Sequence, residues 1–139
     1  MAALIGQVGS LQNDVATLKS VVSSLQSKVT TLGNSVLNLK GQNNWAVVDS
    51  SANVVRHSGV SQVTAVRMGK GTYDVTFSKK DVTGCAYTAT IGDVGTAFVA
   101  PGFITVSGGG KTVNDIGVQT FDKDGGPADS AFHLYVSCP

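Results

Sequence analysis

The stretch 4-LIGQVGSLQNDVATLKSVVSSLQSKVTTLGNSVLNL-39 carries apolar residues at alternating spacings of four and three. The series runs Leu4, Val8, Leu11, Val15, Leu18, Val22, Leu25, Val29, Leu32, Val36 and Leu39. With the valines at a and the leucines at d, five a positions and six d positions hold no polar residue. An apolar period of 3.5 residues kept over that length specifies a left-handed supercoil of two or more helices. At about 1.5 Å per residue the segment makes a rod of roughly 50 Å.

Every other property of this segment argues for a weak helix. Outside a and d it is mostly Ser, Thr, Asn, Gln and Gly, and the whole chain lacks glutamate. Asp14 at g and Lys19 at the following e are the one suitably spaced charge pair in the segment. Gly33 in the helix interior costs about 1 kcal/mol relative to Ala. Such a helix alone in water is largely unfolded, so burial of the Val/Leu seam must drive its formation, which couples folding to association. An amphipathic helix packed on its own domain would not require eleven heptad-perfect positions.

The number of helices is less sharply specified. Valine at a with leucine at d favours a parallel dimer. No Asn or Lys occupies an a position to fix a dimer register, and Ile5 at e and Val21 at g widen the stripe. A wider apolar face suits three helices, so a parallel homotrimer is the favoured assembly and a homodimer the alternative.

Gly41, Gln42, Asn43 and Asn44 read as a C-cap glycine and polar breakers, and from Trp45 the character of the chain changes. Runs of β-branched and aromatic residues now alternate with Gly-, Asp- and Ser-rich turns. Strands are expected at 45–49, 53–57, 60–68, 72–78, 85–91, 103–106, 115–121 and 131–137. Tyr73, Val75 and Phe77 alternate with polar neighbours, as do Phe132, Leu134 and Val136, with His133 and Tyr135 outward. Short strands at regular spacing without a helical interruption indicate an antiparallel sandwich or small barrel.

Charge excludes some partners. The first 44 residues carry +2 and the remainder −1, within a total of +1 over 139 residues, and no basic stripe points to nucleic acid. No apolar run reaches the length of a membrane span. The opening Met1-Ala2-Ala3-Leu4-Ile5-Gly6 lacks the basic n-region and apolar h-region of a signal peptide. The expectation is a chain exported by another route, released by lysis, or part of something longer. Cys85 and Cys138 suit a disulfide tying a middle strand to the C-terminal strand, with two buried free thiols as the alternative.

Candidate chemistry is sparse. The run Asp122-Lys123-Asp124-Gly125-Gly126-Pro127-Ala128-Asp129 superficially suggests a calcium loop. The EF-hand pattern needs an oxygen ligand at its fifth position and a bidentate acid at its twelfth, where this chain has Gly126 and His133. A tight Asp/Gly hairpin turn explains the same residues. His57 and His133 become metal candidates only where a three-fold axis brings copies together; a solvated or interface histidine is the favoured reading. Gly108-Gly109-Gly110-Lys111-Thr112 mimics part of a phosphate loop without its first glycine or its helix, and reads as a strand connection. No nucleophile, base and acid stand at a signature spacing. Asp93, Asp122, Asp124 and Asp129 are the acids to consider for a polysaccharide-active enzyme, the least favoured function. Phe98, Phe103 and Tyr135 are the candidate ligand-binding residues, with interface packing as the plainer account of Phe98 and Phe103, and Trp45 is expected to pack against the end of the rod.

Five segments carry a resemblance: Trp45-Ala46-Val47-Val48, Val55-Arg56, Gly71-Thr72-Tyr73-Asp74-Val75-Thr76-Phe77, Cys85-Ala86-Tyr87-Thr88-Ala89-Thr90-Ile91-Gly92 and Phe132-His133-Leu134-Tyr135-Val136-Ser137-Cys138. Together they resemble a small β domain of exported bacterial proteins, across most of residues 45–138. That likeness implies no functional residue. The Gly-x-Tyr-x-Val-x-Phe strand and the aromatic C-terminal strand are also similar to trimeric C1q-like and fibre-knob heads. A coiled-coil rod with a compact β head is the general plan of phage tail fibres, trimeric adhesins and injection-system fibres, an analogy of architecture.

The expected fold class is therefore an N-terminal parallel coiled coil followed by an all-β antiparallel sandwich, jelly-roll-like, as head. The expected boundaries are 1–41 for the stalk, 42–44 for a short linker and 45–139 for the head. The expected function is a homotrimeric fibre-like or adhesin-like protein, without enzymatic activity or cofactor, whose heads bind a cell-surface ligand, a glycan or a protein. A purely structural trimerisation or docking module of a larger assembly is the alternative. The expected location is extracellular or on a virion or injection-particle surface.

Overall fold

The structure is a computed structural model, and it describes residues 1–59, 62–108 and 110–139. The start of the strand expected from Val60, and Gly109 of the triple-glycine connection, lie outside the described residues. The chain divides into two units, Met1–Leu39 and Lys40–Pro139.

The first unit is helix, part of α1 (Ala2–Gln42), and no residue of α1 is buried. Its polar face satisfies itself locally: the hydroxyls of Thr17, Thr30, Thr31 and Ser35 each donate to the carbonyl four residues earlier. Such back-bonding occupies the hydroxyl and adds no tertiary support.

The second unit holds eight strands: β1 (Asn43–Val48), β2 (Val54–His57), β3 (Val63–Gly69), β4 (Thr72–Phe77), β5 (Ala86–Ile91), β6 (Gly102–Gly108), β7 (Asp115–Asp122) and β8 (Phe132–Ser137). They form two four-stranded antiparallel sheets, ordered β2-β1-β8-β5 and β3-β4-β7-β6. The all-β head read from alternation is thus a two-sheet structure. Each sheet contributes one face to a common core, because alternate residues of half-buried strands point the same way. Tyr73, Val75 and Phe77 of β4 meet Phe132, Leu134 and Val136 of β8 in that core, with Val82, Ile116 and Val118 beside them. The Tyr73 and Phe132 rings, one from each sheet, lie 5.2 Å apart at a tilt of 57°. Tyr73 keeps its hydroxyl satisfied by donating to the Ser50 carbonyl at 3.0 Å.

The turns follow the residues that form them. Asp49 Oδ1 accepts from the Ser51 and Asn53 amides, closing the β1–β2 connection where Ala52 takes a positive φ of 70°. Gly71, at φ 66°, ends the β3–β4 turn; a Cβ there would run into the Thr120 carbonyl and the Ala128 backbone.

The junction differs from expectation. In place of a linker at 42–44, Gln42 belongs to α1, and Asn43 and Asn44 already pair with Ser137 and Val136. Asn44 is fully buried, its amide donating to the Gly41 carbonyl at 3.0 Å, while the Cys138 amide donates to the Gln42 carbonyl at 2.9 Å. Low β-propensity hid these asparagines; ladder hydrogen bonds to β8 and capping of a helix-end carbonyl outweigh it. Cys85 and Cys138 are joined by a disulfide.

Candidate functional site

On α1 the eleven seam residues from Leu4 to Leu39 are 45–69% exposed. Knobs flank concave gaps, for example one lined by Val8, Leu11, Val15 and Lys19. Ile5, Val21 and Leu37 add exposed apolar surface outside a and d. The helix thus presents a continuous, exposed apolar stripe.

In the head, each candidate ligand residue occupies a different place. Phe98 is fully exposed in the segment between β5 and β6. Phe103 lies on β6, opposite Phe121 of β7, on the outer face of the β3-β4-β7-β6 sheet. Tyr135 lies on β8, on the outer face of the other sheet. The three do not converge on one site.

Register brings Tyr135 a different companion. Trp45 of β1 stands directly opposite Tyr135, which in turn stands opposite Thr88 of β5. The next outward row is Arg56, Val47, His133 and Thr90. Directly paired residues of an antiparallel ladder share a face, so the two rows form one surface. It contains an open groove of about 270 Å³, lined by Trp45, Val47, Thr88, Thr90, His133 and Tyr135. Trp45 is 38% exposed and Tyr135 44%, each showing part of its ring to solvent. The Tyr135 hydroxyl donates to Asn43 Oδ1 at 2.5 Å, which fixes the ring. His133 Nε2 stands 2.9 Å from the Asp93 carbonyl, which only accepts, so Nε2 carries a proton and the other ring nitrogen is the free acceptor in the neutral form. Sequence reading placed Tyr135 outward but missed Trp45 as its neighbour. Alternation along β1 sets Trp45 outward, whereas the pairing with β8 is a long-range fact.

The acids have structural partners. Asp93 accepts from the Ala97 and Gly95 amides, and these bonds hold its carboxyl below the usual range. Asp122 does the same with Gly126 and Asp124 in a turn where Gly125 has φ 83°. Asp124 pairs with Lys123. Asp129 binds the Arg67 guanidinium through both oxygens and accepts from the Gly71 amide; the Arg67 bond foremost lowers its pKa to about 2. Asp122, Asp124 and Gly126 of the apparent calcium loop therefore build a tight turn, while Asp129 braces the β3–β4 turn. His57 Nδ1 is 2.7 Å from the Ser58 carbonyl, and among the described residues no three His, Cys, Asp or Glu side chains cluster as metal ligands would. No helix is long and apolar enough to cross a membrane among the described residues.

No protein-family model, no curated protein and no solved structure matches the chain.

Proposed function

We propose that this chain is the subunit of a homotrimeric fibre-like or adhesin-like protein, in which α1 forms a parallel coiled coil and the β heads bind a cell-surface ligand of the glycan class. The observation that carries this reading is the bare stripe on α1: eleven apolar residues in unbroken heptads, on a helix whose Ser/Thr/Asn-rich remainder does not sustain it in water. Exposed apolar stripes of this extent mark association surfaces. Ile5 and Val21 widen the stripe toward three-stranded packing. Three heads on one stalk turn weak individual sites into useful avidity. The disulfide fits an oxidising, extracellular setting. Two antiparallel four-stranded sheets give each stalk a compact all-β head to carry a binding site.

Light scattering of the intact chain, oxidised and reduced, tests the assembly. A mass of three chains is expected, whereas a mass of one chain overturns the coiled coil and two chains establishes the Val-a/Leu-d dimer. Leu37, exposed at a b position outside the seam, favours a second reading in which α1 docks on another protein and the head is a cap. Cell attachment that survives deletion of the head supports that alternative.

A further inference from the structure

We infer that the groove on the outer face of the β2-β1-β8-β5 sheet is a saccharide subsite, built to seat one or two neutral hexopyranose units against Trp45 and Tyr135. This inference rests on the reading of the heads as ligand-binding and gives that reading a place and a chemistry.

The ring pair is the first support. Trp45 and Tyr135 are direct cross-strand neighbours on the outer face of the β1–β8 ladder, with Tyr135 tied through its hydroxyl to Asn43. A pyranose ring has an apolar C–H face and a rim of hydroxyls. Aromatic side chains held by a sheet supply the matching surface, with little side-chain entropy left to lose.

The polar groups are the second. Thr88 and Thr90 stand two residues apart on one strand, roughly 7 Å, with exposed side chains beside the groove. His133 adds a ring nitrogen acceptor once its Nε2 has donated to the Asp93 carbonyl. Hydroxyls and imidazole both suit sugar hydroxyls, which donate and accept. No carboxylate, lysine or arginine lines the groove, Arg56 of the adjoining row standing outside the lining, so the chemistry favours an uncharged ligand. A few convergent polar groups on an otherwise apolar lining are the usual make-up of small-ligand sites.

Size is the third. Four strands about 4.8 Å apart and about six residues long make a face of roughly 400 Å². Standard protein interfaces bury about 800 Å² on each partner. The face is small for a self-sufficient contact with a second copy, while a groove of about 270 Å³ matches a short saccharide.

Trp45 is the single tryptophan of the chain, so its emission reports on a residue that lines this groove. The full chain is titrated with a panel of neutral disaccharides: maltose, cellobiose, lactose, mannobiose and chitobiose. The expected result is a saturable change in Trp45 emission with at least one of them at millimolar concentration. Tyr135→Ala should weaken that binding at least tenfold. Thr88→Val/Thr90→Val keeps the side-chain shape and should also weaken it several-fold, whereas Phe98→Ala and Phe103→Ala should leave it unchanged. No response to any panel member overturns the subsite. A change in Trp45 emission that follows protein concentration without sugar, over a range where the solution mass of the assembly stays constant, overturns it in favour of a head–head contact. Binding to a glycan array or to cells that persists undiminished in Tyr135→Ala overturns the groove while leaving the heads as binding modules. Loss of both array and cell binding by the parent chain overturns the two readings together.

Discussion

Cys85 and Cys138 form the rung that continues the β5–β8 ladder one step beyond Ala86 and Ser137, with their Cα atoms 4.2 Å apart. The bridge therefore joins residues 53 apart in sequence at a point where the two strands already lie side by side. The ladder positions the sulfurs, and the sulfurs in turn hold the C-terminal end of β8, on which both β1 and β5 depend.

Removing the bridge should destabilise the head without altering assembly. For a loop of that length the chain-entropy estimate is about 4 kcal/mol. The Cys85→Ser/Cys138→Ser variant is expected to show an unfolding free energy in urea lower by that order, with the same solution mass as the parent. A loss under about 1 kcal/mol would mean that the ladder and core alone hold β8 in place.

The seam makes a sharper prediction. Val22→Asp places a carboxylate in the middle of the stripe that the proposed coiled coil would bury, at a cost of several kcal/mol for each unpaired buried charge. The assembly is expected to dissociate to single chains and the helical far-UV signal to fall, because the isolated helix is not self-supporting. Leu37→Asp, which lies at a b position, should leave both unchanged. Sedimentation equilibrium and circular dichroism on the two variants decide the matter; equal behaviour would show that the heptad assignment does not describe the contact.

Much of this architecture was legible because its signals are local. Alternation in Thr72–Phe77 and Phe132–Ser137 located two core strands and their inward residues, and Gly71 with the Asp49–Asn53 loop located the hairpins. What local pattern could not supply was pairing across long separations. Asn43 and Asn44 look like breakers until β8 hydrogen-bonds to them. Phe98, Phe103 and Tyr135 look equivalent as outward aromatics until sheet order puts Phe103 and Tyr135 on different sheets. Trp45 and Tyr135 become neighbours only through a register joining the two ends of the head.

The Arg67–Asp129 pair predicts the acid response of the β3–β4 turn. Asp129 has its pKa lowered from 3.8 to about 2 in the folded chain, chiefly by Arg67 and then by the Gly71 amide. A carboxyl whose folded pKa lies below its unfolded value contributes stability that is complete above the unfolded pKa and is lost as pH falls through the folded one. The contribution of Asp129 should thus decline between about pH 4 and pH 2. Urea midpoints measured across that window should fall less steeply for Asp129→Asn than for the parent. Parallel profiles would assign the acid sensitivity to the other lowered acids, Asp49, Asp81, Asp93 and Asp122.

Two glycines should respond to the same substitution with opposite signs. Gly71 sits at φ 66°, where an L side chain costs about 1–2 kcal/mol, and a Cβ there would also collide with the Thr120 carbonyl. The Thr120 amide donates to the Gly71 carbonyl at 2.8 Å, so relieving that clash pulls on the contact between the β3–β4 turn and β7. Gly71→Ala is expected to lower head stability by at least about 2 kcal/mol. Gly33 is helical, with no atom near its hypothetical Cβ, so Gly33→Ala costs no space and adds about 1 kcal/mol of helix preference. Each added methyl should act in its own unit: urea unfolding of the head followed by near-UV circular dichroism for Gly71→Ala, and thermal melting of the far-UV helical signal for Gly33→Ala. A neutral Gly71→Ala would mean that the turn can leave the left-handed region without losing β7. A Gly33→Ala that lowers the helical melt would mean that a partner helix approaches closely enough at that position to exclude a methyl group.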